Sequence, residues 1–205
     1  MTEDRRIRKT KEAIKYALID LLKHKTLEKI TIKDITESAD INRGTFYLHY
    51  LDKYDLLEQI EDEYIERLSQ SLDYDLFLTP HIDAETFAHE FATKILRNIL
   101  YYIGDNLEFY RVVLNIGHTT RIEEKIRETM FKNMDKHITQ QDMISGVPKS
   151  YFHSYVAGAT ISFIKHWVRD DNPPSADLVV EYLFKIVYNG PLRLMASEHS
   201  DYRNK

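Results

Sequence analysis

Residues 31–54, TIKDITESADINRGTFYLHYLDKY, constrain the fold of this chain more than any other stretch. Thr31 is a typical N-cap, and apolar residues follow it at helical spacing until about residue 40. Asn42 can cap a second helix that begins at once, and in that helix Phe46 and Tyr50 stand four residues apart and so face one core. The sequence therefore predicts two short helices joined by a tight turn.

The other face of the second helix carries donors and cations, namely Arg43, Thr45, Tyr47 and His49. Arginine can pair with guanine in the major groove, and threonine offers a hydroxyl and a methyl that can meet a thymine methyl. Gly44 weakens a helix interior by about 1 kcal/mol relative to alanine, but it lets the helix approach a base edge closely. We therefore expect a DNA-binding face in which Arg43 and Thr45 contact bases. A hairpin that only packs a core, the alternative, gives Gly44 no role.

The segments TIKDIT, NRGTFYLHY and KYDLL together closely resemble the helix-turn-helix signature of the tetracycline-repressor (TetR) family of bacterial transcription regulators. Small residues, aromatics and the following lysine fall at the family's spacing over roughly fifty residues, and the resemblance fades after about residue 70. It implies phosphate contacts from the following side chains: Thr31, Lys33, Tyr47, His49 and Lys53. Helix N-termini attract phosphate, which independently supports Thr31 and Lys53. For His49 a half-buried packing role stays open.

The charge distribution agrees with a local nucleic-acid surface. The net charge is −5, which argues weakly against nucleic acid, but residues 1–55 hold twelve Lys and Arg against ten Asp and Glu, and residues 56–205 are strongly acidic. An acidic body repels phosphates, so the basic groups must act from the N-terminal end. A helix is predicted from residue 10 to 24. The basic arm before and at its start is either a solubilising terminus or a contact to phosphates or the minor groove, and it contains Arg5, Arg6, Arg8, Lys9 and Lys11.

The remaining pattern predicts an all-α fold of about nine helices, with a three-helix DNA-binding head and a helical effector-binding and dimerisation body. We divide the chain into residues 1–55 and 56–205, with an amphipathic linking helix at 52–72 and a break at 73–82. Body helices are expected near residues 83–104, 106–116, 120–140, 148–170 and 176–196, with no convincing strand, and the last helix is expected to end or kink at Gly190.

The last two helices are apolar enough to form a subunit interface. The resemblance implies the same, because members of the family usually dimerise by packing these two helices in a four-helix bundle. The expected interface residues are Phe152, Val156, Ala159, Phe163, Trp167, Val179, Leu183, Ile186 and Val187. The alternative is that both helices are core helices of a monomer. A dimer would bind a palindromic operator whose half-site centres lie about 34–36 Å apart or somewhat further.

Catalysis, a cofactor and a metal site are not expected. The nine histidines show no HExxH or other ligand spacing, and none of GxGxxG, GxxxxGK[ST] and GxSxG occurs. No cysteine is present, the N-terminal residues lack the apolar stretch of a signal peptide, and the longest apolar run, 155–164, is too short to span a bilayer. We therefore expect a cytoplasmic protein without membrane contact.

The body is richer in aromatic residues than packing requires, which favours a pocket for a small apolar or aromatic ligand. The resemblance implies that such an effector releases a repressor from DNA. Residues expected to line the pocket are Tyr64, Leu68, Tyr101, Phe109, Phe131, Tyr155 and Phe163. A shift at the far end of the linking helix would move the head and change the separation of the two heads in a dimer. A filled core without a cavity, and control by a protein partner, remain the alternatives.

Overall fold

A computed structural model describes residues 5–70, 83–116, 121–137 and 142–202 of the chain. The elements in chain order are α1 (Arg5–Leu22), a 3₁₀ helix (Leu27–Lys29), α2 (Ile32–Ser38), α3 (Arg43–Tyr47), α4 (Lys53–Gln70), α5 (Ala84–Phe91), a π-helical turn (Ala92–Leu96), α6 (Arg97–Asp105), α7 (Leu107–Val113), α8 (Ile122–His137), β1 (Met143–Ile144), β2 (Val147–Pro148), α9 (Lys149–Arg169) and α10 (Ala176–Tyr202). Because α5, the π turn and α6 are continuous, the described residues hold nine helices. The predicted all-α fold is confirmed.

The first of two packing units comprises Met1–Arg67 and Glu108–Thr129. Within it α1 packs against α2, and α2 packs against α3. The apolar stripe of α1 is inaccessible to solvent at Ile14 and Leu18, as is Phe46 of α3. Tyr64 of α4 stacks on Phe109 of α7 with ring centroids 3.7 Å apart. This packing holds α2 and α3, the two helices of the predicted DNA-binding motif, against α1 and against each other.

A buried charged cluster joins α4 to the beginning of α8 inside the same unit. Glu61 is only 2% exposed, and its carboxylate lies 3.5 Å from Lys125 Nζ and accepts the backbone N–H of Arg121 at 3.2 Å. Lys125 also pairs with Asp62 at 2.7 Å. Burial raises the pKa of Glu61, and the charge of Lys125 opposes that rise. Burial therefore disfavours the charged form of Glu61, and Lys125 together with the N-terminus of α8 stabilises it.

The second unit comprises Leu68–Leu107 and Met130–Lys205. Here α10 packs against α6 and the π turn. Trp167 near the end of α9 is buried, and its indole N–H donates to the carbonyl of Pro174 at 3.0 Å. A Cβ on Gly104 would lie 3.5 Å from the Trp167 ring, an ordinary van der Waals distance, so α6 passes next to the indole at this residue. The Tyr101 hydroxyl donates to Asp177 at 2.7 Å, which ties α6 to the first turn of α10.

Helix α1 begins at Arg5, five residues earlier than predicted. The Thr10 hydroxyl donates to the carbonyl of Arg6 at 3.0 Å, so Thr10 lies inside the helix and does not cap it. Arginine and lysine are good helix formers, and no glycine or proline separates Arg5 from Thr10. The basic residues expected to form an arm are therefore the first two turns of a helix.

The prediction that the body contains no strand is wrong at one place. Residues 143–144 and 147–148 form a two-stranded antiparallel hairpin in which Met143 faces Pro148. Its turn residues, Ser145 and Gly146, have φ of 49° and 81°. Two consecutive positive φ angles are the requirement of the tightest hairpin turn, and strands of two residues leave no alternating pattern to detect.

At Gly190 the backbone has φ 73° and ψ 153°, so the predicted kink of the last helix is confirmed. The predicted break at 73–82 lies outside the described residues. The first packing unit extends to Arg67 and includes Glu108–Thr129, so it is larger than the predicted head of residues 1–55. The functional division at residue 55 stays a prediction.

Candidate nucleic-acid interface

The turn between α2 and α3 has the geometry of a helix-terminating motif. Asp40 takes a positive φ of 51°, and the N–H of Ile41 donates to the carbonyl of Thr36 at 3.0 Å. This six-to-one bond, with a left-handed residue just before it, is the Schellman arrangement that ends a helix abruptly. It turns the chain within four residues, so α3 begins at Arg43.

Asn42 caps α3 as predicted. Its Oδ1 accepts the backbone N–H of Thr45 at 2.8 Å and the Thr45 hydroxyl at 3.0 Å. A Cβ on Gly44 would lie 3.2 Å from that same Oδ1, so glycine here leaves room for the cap. Because the Thr45 hydroxyl proton is used by the cap, Thr45 can offer a base an acceptor lone pair and its methyl group.

The predicted two-faced character of α3 is present. Phe46 and Tyr50 are buried, whereas Arg43, Gly44 and Tyr47 are exposed. None of the described residues forms an ion pair or hydrogen bond with the Arg43 side chain, so its guanidinium is available to an external partner. Tyr47 packs edge-on against Phe46, which orients its ring while its surface stays open.

The remaining predicted phosphate contacts at α2 and after α3 differ in how free their polar atoms are. His49 is half-buried, with its ring 6.2 Å from that of Tyr50, which suits either role considered for it. Lys33 is exposed and pairs only loosely with Glu37, at 3.6 Å. Exposed pairs of this kind contribute little, so the Lys33 ammonium can exchange Glu37 for a phosphate.

Thr31 forms a capping box with Asp34. Its hydroxyl accepts the N–H of Asp34 at 3.1 Å, and the Asp34 carboxylate accepts both the backbone N–H and the hydroxyl of Thr31 at 2.8 Å. These bonds, the backbone one first, hold the pKa of Asp34 below its ordinary value. A phosphate contact by the Thr31 hydroxyl therefore requires its bond to Asp34 to open.

Lys53, at the start of α4, binds the protein itself. Its Nζ donates to the carbonyls of Glu28 and Ile30 at 2.9 and 2.7 Å, at the end of the 3₁₀ helix that precedes α2. An ammonium has three donors, so one N–H is left for a phosphate. Lys53 thus ties the N-terminus of α4 to the segment that precedes α2. The predicted phosphate contact would use its third N–H.

Replacing Lys53 by methionine tests this double role. Hydrogen bonds from charged donors contribute about 1.5–3 kcal/mol, so we expect a lower free energy of unfolding and weaker, less salt-dependent binding to all DNA sequences alike. Urea denaturation and DNA titrations at several salt concentrations measure both effects. The control Lys33→Met should change salt dependence without changing stability. Unchanged stability of the Lys53 variant would contradict the positioning role.

The residues predicted to line a pocket do not share one environment. Tyr64 and Phe109 are buried and fill their space by stacking on each other in the first unit. In the second unit Leu68, Tyr101 and Phe163 are half-buried, whereas Phe131 is partly exposed beside His153 and Tyr155 is 65% exposed. Tyr64 and Phe109 therefore lie in the core of the first unit, and their part in a pocket stays a prediction.

The residues predicted to form a dimer interface divide into two groups. Three are almost fully buried within their own unit, which moves them from the interface to the core: Trp167, Val179 and Leu183. The other six are half-buried or exposed: Phe152, Val156, Ala159, Phe163, Ile186 and Val187. Other exposed apolar residues on the same two helices were not among the predicted interface residues: Tyr151 and Tyr182 were not selected, and Tyr155 was assigned to the pocket.

Two leucines at and just beyond the end of α3, the predicted recognition helix, were not among the residues predicted to contact DNA. Leu48, the C-cap of α3, is 80% exposed, and Leu51 is 82% exposed. Both lie between residues selected for hydrogen bonding, so a search for donors and cations passes over them. The available signal was the position of Leu48, four residues after Gly44 and on the same helical face.

The described ranges of the chain contain neither a candidate metal site nor a candidate membrane-spanning helix. No group of three or more His, Asp or Glu side chains is arranged to hold a metal ion. No helix there has the length and apolar character that crossing a bilayer demands.

Comparison with known proteins identifies the class. Residues 17–60 match the family model described as bacterial regulatory proteins, tetR family, and residues 90–189 match a model described as transcriptional regulator C-terminal region. An uncharacterized HTH-type transcriptional regulator, YxbF of Bacillus subtilis (strain 168), is 26% identical over 182 residues, which cover 85% of this chain and 43% of that protein. The chain thus spans less than half the length of this relative.

Two solved structures share the fold. A TetR transcriptional regulator from Streptococcus agalactiae 2603V has a TM-score of 0.62 at 22% identity, covering 90% of this chain and 96% of that one. The dihydroxyacetone kinase operon activator DhaS has a TM-score of 0.57 at 21% identity, covering 91% and 95%. The helix-turn-helix geometry and the two family-model matches together identify a DNA-binding transcriptional regulator. The chain belongs to the TetR family, whose members and structural relatives are regulators rather than enzymes.

Proposed function

We propose that the protein is a homodimeric, sequence-specific repressor that a small-molecule effector releases from a palindromic operator. The observation that carries the DNA-binding part is the exposed face of α3, where Arg43 has no partner among the described residues and Phe46 anchors the opposite side. One such helix covers too few bases for a useful site, so specificity requires two. Binding to chromosomal DNA makes the cytoplasm its place of action.

The exposed apolar residues of the last two helices support a dimer. On α9, Tyr151 and Tyr155 are exposed four residues apart. On α10, Leu178, Tyr182 and Ile186 repeat the same spacing. Residues four apart lie on one helical face, and monomeric proteins rarely leave apolar faces of this kind in water. A second copy of the chain is the partner that symmetric DNA requires.

Effector release is proposed from the course of α4. This helix begins with Lys53 beside the DNA-binding motif, and the chain passes from the first unit to the second within it, at Arg67. In a dimer, the two DNA-binding heads must keep one separation to contact both half-sites. A ligand that binds only a body conformation in which this separation is different lowers the affinity for DNA. By linkage, DNA then lowers the affinity for the ligand by the same factor. We confine the proposed pocket for an apolar or aromatic ligand to the second unit, near Leu68, Tyr101 and Phe163.

One observation favours a second candidate, a regulator controlled by a protein partner instead of a ligand. Tyr64 and Phe109, two of the seven residues predicted to line a pocket, instead stack on each other and are buried in the first unit. The mode of control is also open to test, since a structural relative is named an operon activator. A reporter gene placed behind the selected operator distinguishes repression from activation.

Selection of bound sequences from random DNA tests the proposal. We expect a palindromic or near-palindromic motif bound by two chains, with half-site centres about 34–36 Å apart or somewhat further. Analytical ultracentrifugation of the protein with and without the selected DNA gives the stoichiometry. Binding of one chain to an asymmetric site would contradict the dimer. A ligand screen scored by operator release tests the effector separately, and failure there would favour the protein partner.

A further inference from the structure

Apolar side chains are concentrated at the end of the recognition helix. In the described part of the first unit the large apolar residues that are exposed are Ile7, Tyr16, Tyr47, Leu48, Leu51 and Tyr54. Four of these six fall within eight consecutive residues. Single exposed leucines are ordinary on protein surfaces, whereas a cluster of them marks a contact surface.

Leu48 occupies a defined position in this cluster. Its N–H donates to the carbonyl of Gly44 at 3.2 Å and its backbone is helical, with φ −71° and ψ −19°, so it continues the exposed face of α3. Residues four apart lie on one helical face, so Leu48 shares the exposed face of α3 with Gly44. Gly44 has no side chain to cover it, and Leu48 is 80% exposed. An exposed apolar side chain therefore lies on the same face of α3 as Gly44, the position at which the backbone can approach a partner closely.

The chemistry of the major groove identifies what Leu48 meets there. Base edges in this groove present hydrogen-bond donors and acceptors and one apolar group, the 5-methyl of thymine. We propose that Leu48 recognises thymine methyl groups and that each half-site contains a thymine whose methyl packs against it. The inference rests on the proposed DNA-binding function and adds a specificity-determining residue to it. Arg43 and Leu48 then divide the task, with a hydrogen-bonding contact at guanine and an apolar contact at thymine.

Replacing thymine by deoxyuridine removes the methyl group and leaves base pairing intact. In the selected operator each thymine is changed to deoxyuridine, one symmetric pair at a time, and the full-length protein is titrated. Burial of one methyl group is equivalent to about a four-fold change in affinity, so the wild type should lose about fifteen-fold at one pair of positions, one in each half-site. Leu48→Ala should lose less than about two-fold at that pair, which is the double-mutant-cycle signature of contact.

Two variants separate this contact from general damage. Leu51→Ala deletes an equally exposed leucine beyond the helix and should retain the wild-type sensitivity to deoxyuridine, as should Leu48→Met, which keeps an apolar side chain. The thermal unfolding of Leu48→Ala should match the wild type because the side chain is exposed. Specific DNA binding in which Leu48→Ala and wild type depend equally on every thymine methyl overturns the inference alone. Failure to select any sequence overturns the proposed function and the inference with it.

Discussion

Replacement of Lys125 by alanine is expected to lower the free energy of unfolding by about 3–5 kcal/mol, because it leaves the buried carboxylate of Glu61 without its cation. Glu61 is 2% exposed and the Lys125 side chain 13% exposed, so water cannot substitute for the lost charge. The backbone N–H of Arg121 remains, but a single neutral donor compensates only part of the cost. Urea denaturation followed by circular dichroism measures the loss.

The loss should depend on pH in a defined direction. Burial raises the pKa of Glu61 above its ordinary value of 4.5, and removing the opposing charge of Lys125 should raise it further. Between 4.5 and the raised value the folded variant binds more protons than the unfolded chain, so its stability falls as pH rises through that window. The deficit of Lys125→Ala relative to wild type should therefore be largest above the raised pKa of Glu61 and shrink as pH falls through that window.

A second substitution separates the buried charge from the lost side chain. Adding Glu61→Gln to Lys125→Ala removes the uncompensated carboxylate and should restore much of the stability, with little remaining pH dependence. The control Lys185→Ala breaks an ion pair of 2.6 Å whose two side chains are each more than half exposed, and it should change stability little. If both lysine variants lose equally small amounts, Lys125 does not hold a buried charge.

Replacement of Arg43 by alanine is expected to remove a base preference at one position of each half-site. A bidentate pair with guanine contributes about 1–3 kcal/mol of discrimination, and two half-sites double it, so affinity for the selected operator should fall about thirty-fold or more. Non-specific binding should fall only by the effect of one charge in each chain. Repeating the random-sequence selection with the variant, and titrating operators changed at the relaxed position, measures both results.

Arg43→Lys is the matched control for this experiment. Lysine keeps the positive charge but lacks the planar pair of donors that fits the guanine edge. The lysine variant should therefore retain the salt dependence of the wild type and still lose much of its preference at that position. Uniform loss of affinity across all sequences in the alanine variant would show that Arg43 contacts a phosphate and not a base.

The local part of the site followed from the sequence because local interactions determine it. Thr31 and Asn42 were expected to cap helices, and both do so, since a cap depends only on residues within a few positions. Phe46 and Tyr50 were expected to be buried together from their spacing alone, and both are. Helix boundaries in the body were close for the same reason, because glycine and proline end helices wherever the rest of the chain lies.

The tertiary part did not follow from the sequence. That the Lys53 ammonium donates to carbonyls 23 and 25 residues earlier depends on how the first unit folds, and a lysine at a helix start gives no sign of it. The spacing of the apolar residues in α9 predicted a broad apolar face, but not which part of that face its own chain covers. The buried positions are His153, Ala157, Ile161, Ile164, Trp167 and Val168, and the predicted interface residues lie mostly elsewhere on the same helix.

The π-helical turn Ala92–Leu96 changes which residues of its long helix share a face. Phe87 and Ile103 are sixteen positions apart, which in an unbroken α-helix would set their side chains about 160° apart around the axis. A π turn accommodates one extra residue, so the angle falls to about 60° and both side chains point the same way. Phe87 is half-buried and Ile103 buried. The turn thus acts as an insertion absorbed within a helix. Deleting one residue from it would restore a regular α-helix and leave Phe87 and Ile103 about 60° apart, on the same face as before.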